Sequence, residues 1–119
     1  MTSRRHGPCS PIWSRCVRGE VYRLRAPRNV TGHEQQGSRY AVVVQSNALP
    51  LSTWLVAPTS TSARAASFRP EIELNGRTTR VLVEQITAVD PQRLGDLAGR
   101  LALHEIAEVN EALRRVLDI

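Results

Sequence analysis

Apolar and polar positions begin to alternate at Val17. The stretch VRGEVYRL (17–24) turns around Val21 and predicts a first strand. Residues 26–38, APRNVTGHEQQGS, break the pattern with a proline, two glycines and many polar side chains, so they predict a long loop. Residues 40–45 form a short β-branched run without polar interruption, the signature of a strand buried on both faces, and residues 53–57 predict its neighbour, ended by Pro58.

A second polar loop, TSTSARAAS (59–67), leads into PEIELNGRTTRVLVEQ (70–85). There Glu71 and Glu73 alternate with Ile72 and Leu74, and Asn75-Gly76 supplies the residues that tolerate positive φ in a tight hairpin. Val81 and Val83 are expected to carry the return strand. Asp90 before Pro91 predicts an N-cap with proline in the first helical position, and Gly95 a stop, giving one short helical turn. Ile106, Val109, Leu113, Val116 and Leu117 then recur at three- and four-residue steps. They predict a terminal helix with its apolar stripe on a sheet and Glu105, Glu108, Arg114 and Arg115 in water. Several strands followed by one helix give an α+β fold on a small, strongly bent antiparallel sheet.

Length narrows this to one domain, since 119 residues can bury a single core. Charge adds more: the formal net charge is +5, and all 16 basic residues are arginines. Arginine keeps its charge at any physiological pH and grips phosphate with a planar fork. Seven of them lie between Arg4 and Arg28 against the single acid Glu20, so the N-terminal end invites an anion. Residues 1–17 show no periodicity and predict a flexible basic arm ahead of a domain spanning 18–119. Cys9 and Cys16 match no common zinc spacing, and no apolar run approaches a membrane span or a secretory signal, so cytoplasm is the expected compartment.

Phosphate-binding glycine loops, GxSxG elbows and clustered metal ligands are absent from the sequence, and His6, His33 and His104 are scattered. Metal, triad and paired-histidine hydrolases are thereby disfavoured. Polar loops flanking buried strands remain, carrying Glu34, Arg39 and the hydroxyls of residues 59–62.

In order along the chain, RGEVYRL, GHEQQGSRYAVVVQSN, VAPTSTS, VLVEQITAVDPQRLG and EALRRVLDI resemble the MazF/PemK toxin family. The resemblance begins near Arg18, which makes Val17 an expected true or alternative start. It implies the barrel-like sheet and C-terminal helix shared with CcdB. It further implies a homodimer, a metal-free and cofactor-free endoribonuclease that cuts single-stranded RNA through its own 2′-OH, and a MazE-like antitoxin with an acidic tail.

Carried over by position, the resemblance puts Arg39 at the scissile phosphate. It puts a hydroxyl beside it, Ser60 by alignment, with Thr59 and Thr61 as alternatives. Glu34 becomes the candidate base for the 2′-OH, because a carboxylate is unprotonated at neutral pH. Gln35, Asn47, Thr61, Glu84 and Gln85 fall at positions expected to touch RNA, whose unstacked bases expose their edges. Two departures stand out. Tyr40 replaces the proline that follows the active arginine, which leaves that turn less stiff. Ala102-Leu103 replaces Ser-Pro at the last helix, removing a cap typically worth about 1 kcal/mol and predicting a frayed start. Other readings are a CcdB-like gyrase-binding toxin without enzymatic activity and a catalytically degenerate RNA-binding homologue.

Overall fold

The computed structural model describes residues 17–25, 39–49 and 51–119. Residues 1–16 of the basic arm and the loop 26–38, with Glu34 and Gln35, lie outside the described residues. Seven strands form one antiparallel sheet: β1 (Glu20–Leu24), β2 (Tyr40–Val43), β3 (Trp54–Ser60), β4 (Glu71–Leu74), β5 (Arg77–Val81), β6 (Thr87–Val89) and β7 (Leu94–Arg100). Their lateral order is β4-β5-β3-β2-β1-β7, with β6 paired to β3 beside β5. One helix, α1 (Leu103–Leu117), follows.

The sheet curls because β3 changes partners. One edge of β3 runs along β2, with Val43 opposite Val56 and Ala41 opposite Pro58. The other edge takes β6 along Trp54, Leu55 and Val56, then β5 at Thr59 and Ser60. Val44 donates its amide to Leu55 O, so by antiparallel alternation Leu55, Ala57 and Thr59 face β2 with their backbone groups. Pro58 therefore turns its nitrogen to the far edge, where one partner has ended and the next begins, and its carbonyl still accepts from Leu82 N at 2.8 Å. A missing N–H costs no ladder bond there, so β3 continues through Pro58 instead of ending at it.

Curling brings the two edge strands of the main path together. A Cβ built on Gly99 of β7 would sit 3.2 Å from Leu74 Cδ1 of β4, so glycine permits that close approach. The short turn at Pro91–Arg93 has its predicted cap, with Gln92 N donating to Asp90 Oδ1. It stops at Leu94, and Gly95 lies inside β7. Two glycines in seven residues hide that strand from a propensity reading.

Strands β2 and β3 are buried on both faces. On one side Val21, Val42, Ala57, Ile72, Val81 and Val83 pack with Leu101, Val109 and Ala112, the last two from α1. On the other, Ala41, Val43, Trp54, Val56, Val89 and Leu94 form a second core with Tyr22 and Leu24 against it. The hairpin β4–β5 turns at Asn75 (φ 55°) and Gly76 (φ 78°), the two consecutive positive-φ residues expected of a tight hairpin. Val83 does not extend β5. It starts a 3₁₀ turn, Val83–Gln85, that packs its side chain into the core.

In α1, Val109 is buried and Ile106, Leu113 and Val116 are half-buried, as the periodicity predicts; Leu117 is largely exposed. Glu105, expected in water, is buried instead. Its carboxylate accepts from Ala102 N at 2.8 Å and from Glu73 N at 2.9 Å. Ala102 has no acceptor of its own, so only the returning half of a capping box is present, and it also ties the helix to β4. The helix start is thus anchored without a cap side chain. Replacing Glu105 with Ala should cost about 2 kcal/mol by orphaning both amides. A urea titration should show a lower midpoint at unchanged m-value; an unchanged midpoint would show that packing alone holds the helix start.

Candidate active site

Arg39 immediately precedes β2, exposed, with its backbone fixed by Leu24 N donating to Arg39 O at 2.8 Å. That bond holds the arginine at a strand start where Tyr40 stands in place of a proline. Tyr40 pairs with Arg23 of β1 and packs against the α1-side core. Its carbonyl accepts from Thr59 Oγ1 at 3.4 Å.

Continuing the β2–β3 register two residues beyond Ala41–Pro58 places Arg39 opposite Ser60. Side chains alternate along a strand, so Thr59 and Ser60 point to opposite faces. Thr59 is buried on the α1 side, whereas Ser60 is half-buried on the face that carries Arg39. The Ser60 hydroxyl accepts from Ser62 N at 3.2 Å and lies 3.4 Å from Ser62 Oγ. Thr61 is exposed in the turn that follows. The continued register therefore sets Arg39 across from Ser60, with Thr61 exposed just beyond, and the Thr59 hydroxyl is turned inward.

The remaining candidates are spread out. Asn47 lies past the other end of β2 from Arg39, its Oδ1 accepting from Arg18 N at 2.7 Å. Glu84 and Gln85 sit in the 3₁₀ turn after β5, and Gln85 is exposed. Glu84 is half-buried, and its Oε2 accepts from both Nη2 (2.7 Å) and Nε (3.0 Å) of Arg69. The Arg69 guanidinium also donates to Arg64 O at 3.2 Å and stacks 5.5 Å from the Phe68 ring centroid. The pair therefore ties the loop after Ser60 to the 3₁₀ turn. Among the described residues no group of three His, Cys, Asp or Glu is placed to hold a metal.

Two members of this neighbourhood escape a reading of the sequence alone. Arg69 gives no signal, because its partner lies fifteen residues away across an irregular loop. Arg80 stands directly opposite Ser60 in the β3–β5 ladder and opposite Glu71 in β4–β5, bonded to that carboxylate at 2.9 Å. The Asn75-Gly76 turn fixes the Glu71–Arg80 pairing in the sequence, but nothing there fixes which residue of β3 faces Arg80.

The hydrogen bond from Arg69 favours the ionised form of Glu84 and holds its pKa below the ordinary value. A depressed carboxylate contributes stability at pH above its unfolded value and loses it as pH falls through the folded one. Arg69→Gln should therefore be less stable than wild type at neutral pH, with the gap closing as pH drops below about 4.3. Thermal melts across that range test this, and a gap of constant size would remove the ion pair from the account.

The chain matches the family model described as PemK-like, MazF-like toxin of type II toxin–antitoxin system over residues 17–117. It is 43% identical over 104 residues to a Mycobacterium tuberculosis (strain H37Rv) protein named as a candidate toxin, covering 87% of this chain and 98% of that one. Among solved structures, an endoribonuclease in complex with its cognate antitoxin, from a mycobacterial species, superposes with a TM-score of 0.72 at 20% identity, covering 88% of this chain and 97% of that chain. MazF from Deinococcus radiodurans gives a TM-score of 0.69 at 22% identity, with coverage of 87% and 97%. At those identities the structural likeness speaks to the fold, a curled antiparallel half-barrel with a C-terminal helix. The family match carries the rest: matched over residues 17–117, the chain belongs to the PemK-like, MazF-like toxins of type II toxin–antitoxin systems.

Proposed function

We propose that this protein is a sequence-selective endoribonuclease that cuts single-stranded RNA without a metal ion and is restrained by a small antitoxin. The observation that supports the reading is the β2–β3 register, whose continuation past Ala41–Pro58 sets Arg39 across from Ser60 on one face of the sheet. Support for RNA as substrate comes from the family and from similar folds described as endoribonucleases.

In the reaction the RNA 2′-oxygen forms a bond to phosphorus while the bond from phosphorus to the 5′-oxygen breaks. The products carry a 2′,3′-cyclic phosphate and a 5′-OH. Negative charge grows on the non-bridging oxygens at the pentacoordinate stage. A fixed guanidinium at Arg39 stabilises that charge more than it stabilises the bound substrate, which is the condition for a gain in rate. Arginine is a very weak acid, so its role is electrostatic, and water supplies the proton to the leaving oxygen. The Ser60 hydroxyl donates to a phosphorane oxygen. The buried Thr59 hydroxyl, directed at the Tyr40 carbonyl, favours Ser60 for that part. Glu34 is the candidate base, taking the 2′-OH proton, and Gln35 and Gln85 are candidate base readers. Glu84, bound to Arg69, serves better as a support for the loop than as a contact to RNA.

A cytoplasmic homodimer that binds RNA across the subunit boundary, and a MazE-like antitoxin whose acidic tail covers the same surface, complete the reading. Relatives of this fold are described in complex with their antitoxins. Arg39 and its neighbours offer such a tail the same positive charge that they offer RNA.

Purified protein incubated with RNA in EDTA should cut it and leave cyclic phosphate ends. Arg39→Ala should lower kcat by about a hundredfold or more, the scale seen when one transition-state donor is lost. Ser60→Ala should lower kcat further than Thr59→Ala, which acts mainly on stability. Cleavage abolished by EDTA, or an Arg39→Ala enzyme as fast as wild type, would defeat the mechanism; sequencing of the 5′ ends of the fragments gives the site preference.

A further inference from the structure

Ser60, Arg80 and Glu71 are direct cross-strand partners on β3, β5 and β4, and continuing the β2–β3 register past its last pair sets Arg39, just ahead of β2, in line with them. Neighbouring strands lie about 4.8 Å apart, so the two arginine backbones are separated by about 10 Å with the serine midway. Both side chains rise from the same face, since Arg80 and Ser60 are direct cross-strand partners. Two guanidiniums flanking a hydroxyl make a positive track that runs across the strands.

Arg80 is not locked as Arg69 is. The Arg69 guanidinium gives two N–H groups to a carboxylate that is itself three-quarters buried, and a third to a backbone carbonyl. Arg80 is joined by one Nη2–Oε2 contact to Glu71, whose side chain is 55% exposed. The Arg80 side chain is 25% exposed, much like Arg69, but its partner carboxylate stands in solvent and can return to water, so a phosphate can take the carboxylate's place at small cost. Arg77, on the same hairpin, stands at the turn and alternates to the opposite side of the sheet.

We propose that Arg80 is a second phosphate-binding group, engaging a backbone phosphate next to the one at Arg39, and that Glu71 occupies it until RNA displaces the carboxylate. RNA then lies along the row, perpendicular to the strands. The inference rests on the ribonuclease reading for its ligand and goes beyond it in naming the neighbouring phosphate and the path.

The probe is a random-sequence single-stranded RNA oligonucleotide, 2′-O-methylated throughout so that it cannot be cut by 2′-OH attack, with binding read by fluorescence anisotropy over a range of NaCl concentrations. Arg80→Gln should weaken binding roughly tenfold and reduce the slope of log K against log salt by about 0.7, the share of one phosphate contact on a single strand. Arg77→Gln removes the same charge from the same hairpin and should change both far less. Glu71→Gln should tighten binding two- to threefold, about the effect of removing an exposed competing charge. The inference is overturned if Arg80→Gln and Arg77→Gln bind alike. Should Arg80→Gln fail to fold by circular dichroism, Glu71→Gln decides, and binding no tighter than wild type overturns it. Cleavage of the unmodified pool by wild-type protein is measured alongside. Loss of cutting there sinks the ribonuclease reading alone, because the methylated probe still reports on Arg80.

Discussion

The fold and the site both depend on the change of partner that β3 makes at Pro58. A strand that paired with β6 or with β5 along its whole length would lie in a flat sheet, and only one of those neighbours could be present. By releasing β6 after Val56 and taking β5 from Thr59, β3 serves two strands with one edge. The sheet must curl to allow it. That curl brings β4 toward β7, encloses the core under α1, and sets Ser60 directly beside Arg80 of β5. A proline is well suited to the junction, since the ladder needs no donor from it there and its fixed φ stiffens the bend.

Much of this was legible in the sequence, and what was hidden had a physical reason. The doubly buried run at residues 40–45, the Asn-Gly hairpin and the Asp-Pro cap each depend on local chemistry, and each has its expected place. Pro58 as a strand end, Gly95 as a helix stop and Glu105 in water all failed because a tertiary contact outweighed the local rule. Pro58 meets a junction, Gly95 and Gly99 serve close strand approach, and Glu105 finds two backbone donors that let a carboxylate be buried. The site divides in the same way. Motif order names Arg39 and Ser60 as candidates, whereas which residues they face, and the place of Arg80 opposite Ser60, follow only from register. Glu34 and Gln35 belong to the loop outside the described residues.

A chain whose basic residues are all arginine must separate structural from ligand-binding guanidiniums by geometry, because charge alone does not distinguish them. Arg69 uses its planar fork on Glu84 and a carbonyl, in a setting that also depresses the carboxylate's pKa. Arg100 meets the buried Glu20, which also accepts from Tyr22 and from Val17 N at the start of the domain. In both cases a partly or fully buried acid needs its partner, so the arginine is committed.

Among the described residues, no buried acid makes that demand of Arg39 or Arg80. A guanidinium bound only to an exposed carboxylate, or turned to solvent at a strand start, keeps its hydrogen bonds exchangeable. It can pass from water or Glu71 to phosphate with little change in the energy of the fold. If the proposed function holds, RNA phosphates and the carboxylates of an acidic antitoxin tail would compete for the same donors, and Glu71 would act within the chain as a weak version of the inhibitor. Its weakness matters: a carboxylate buried as deeply as Glu20 would hold Arg80 against RNA and leave the row with a single working cation.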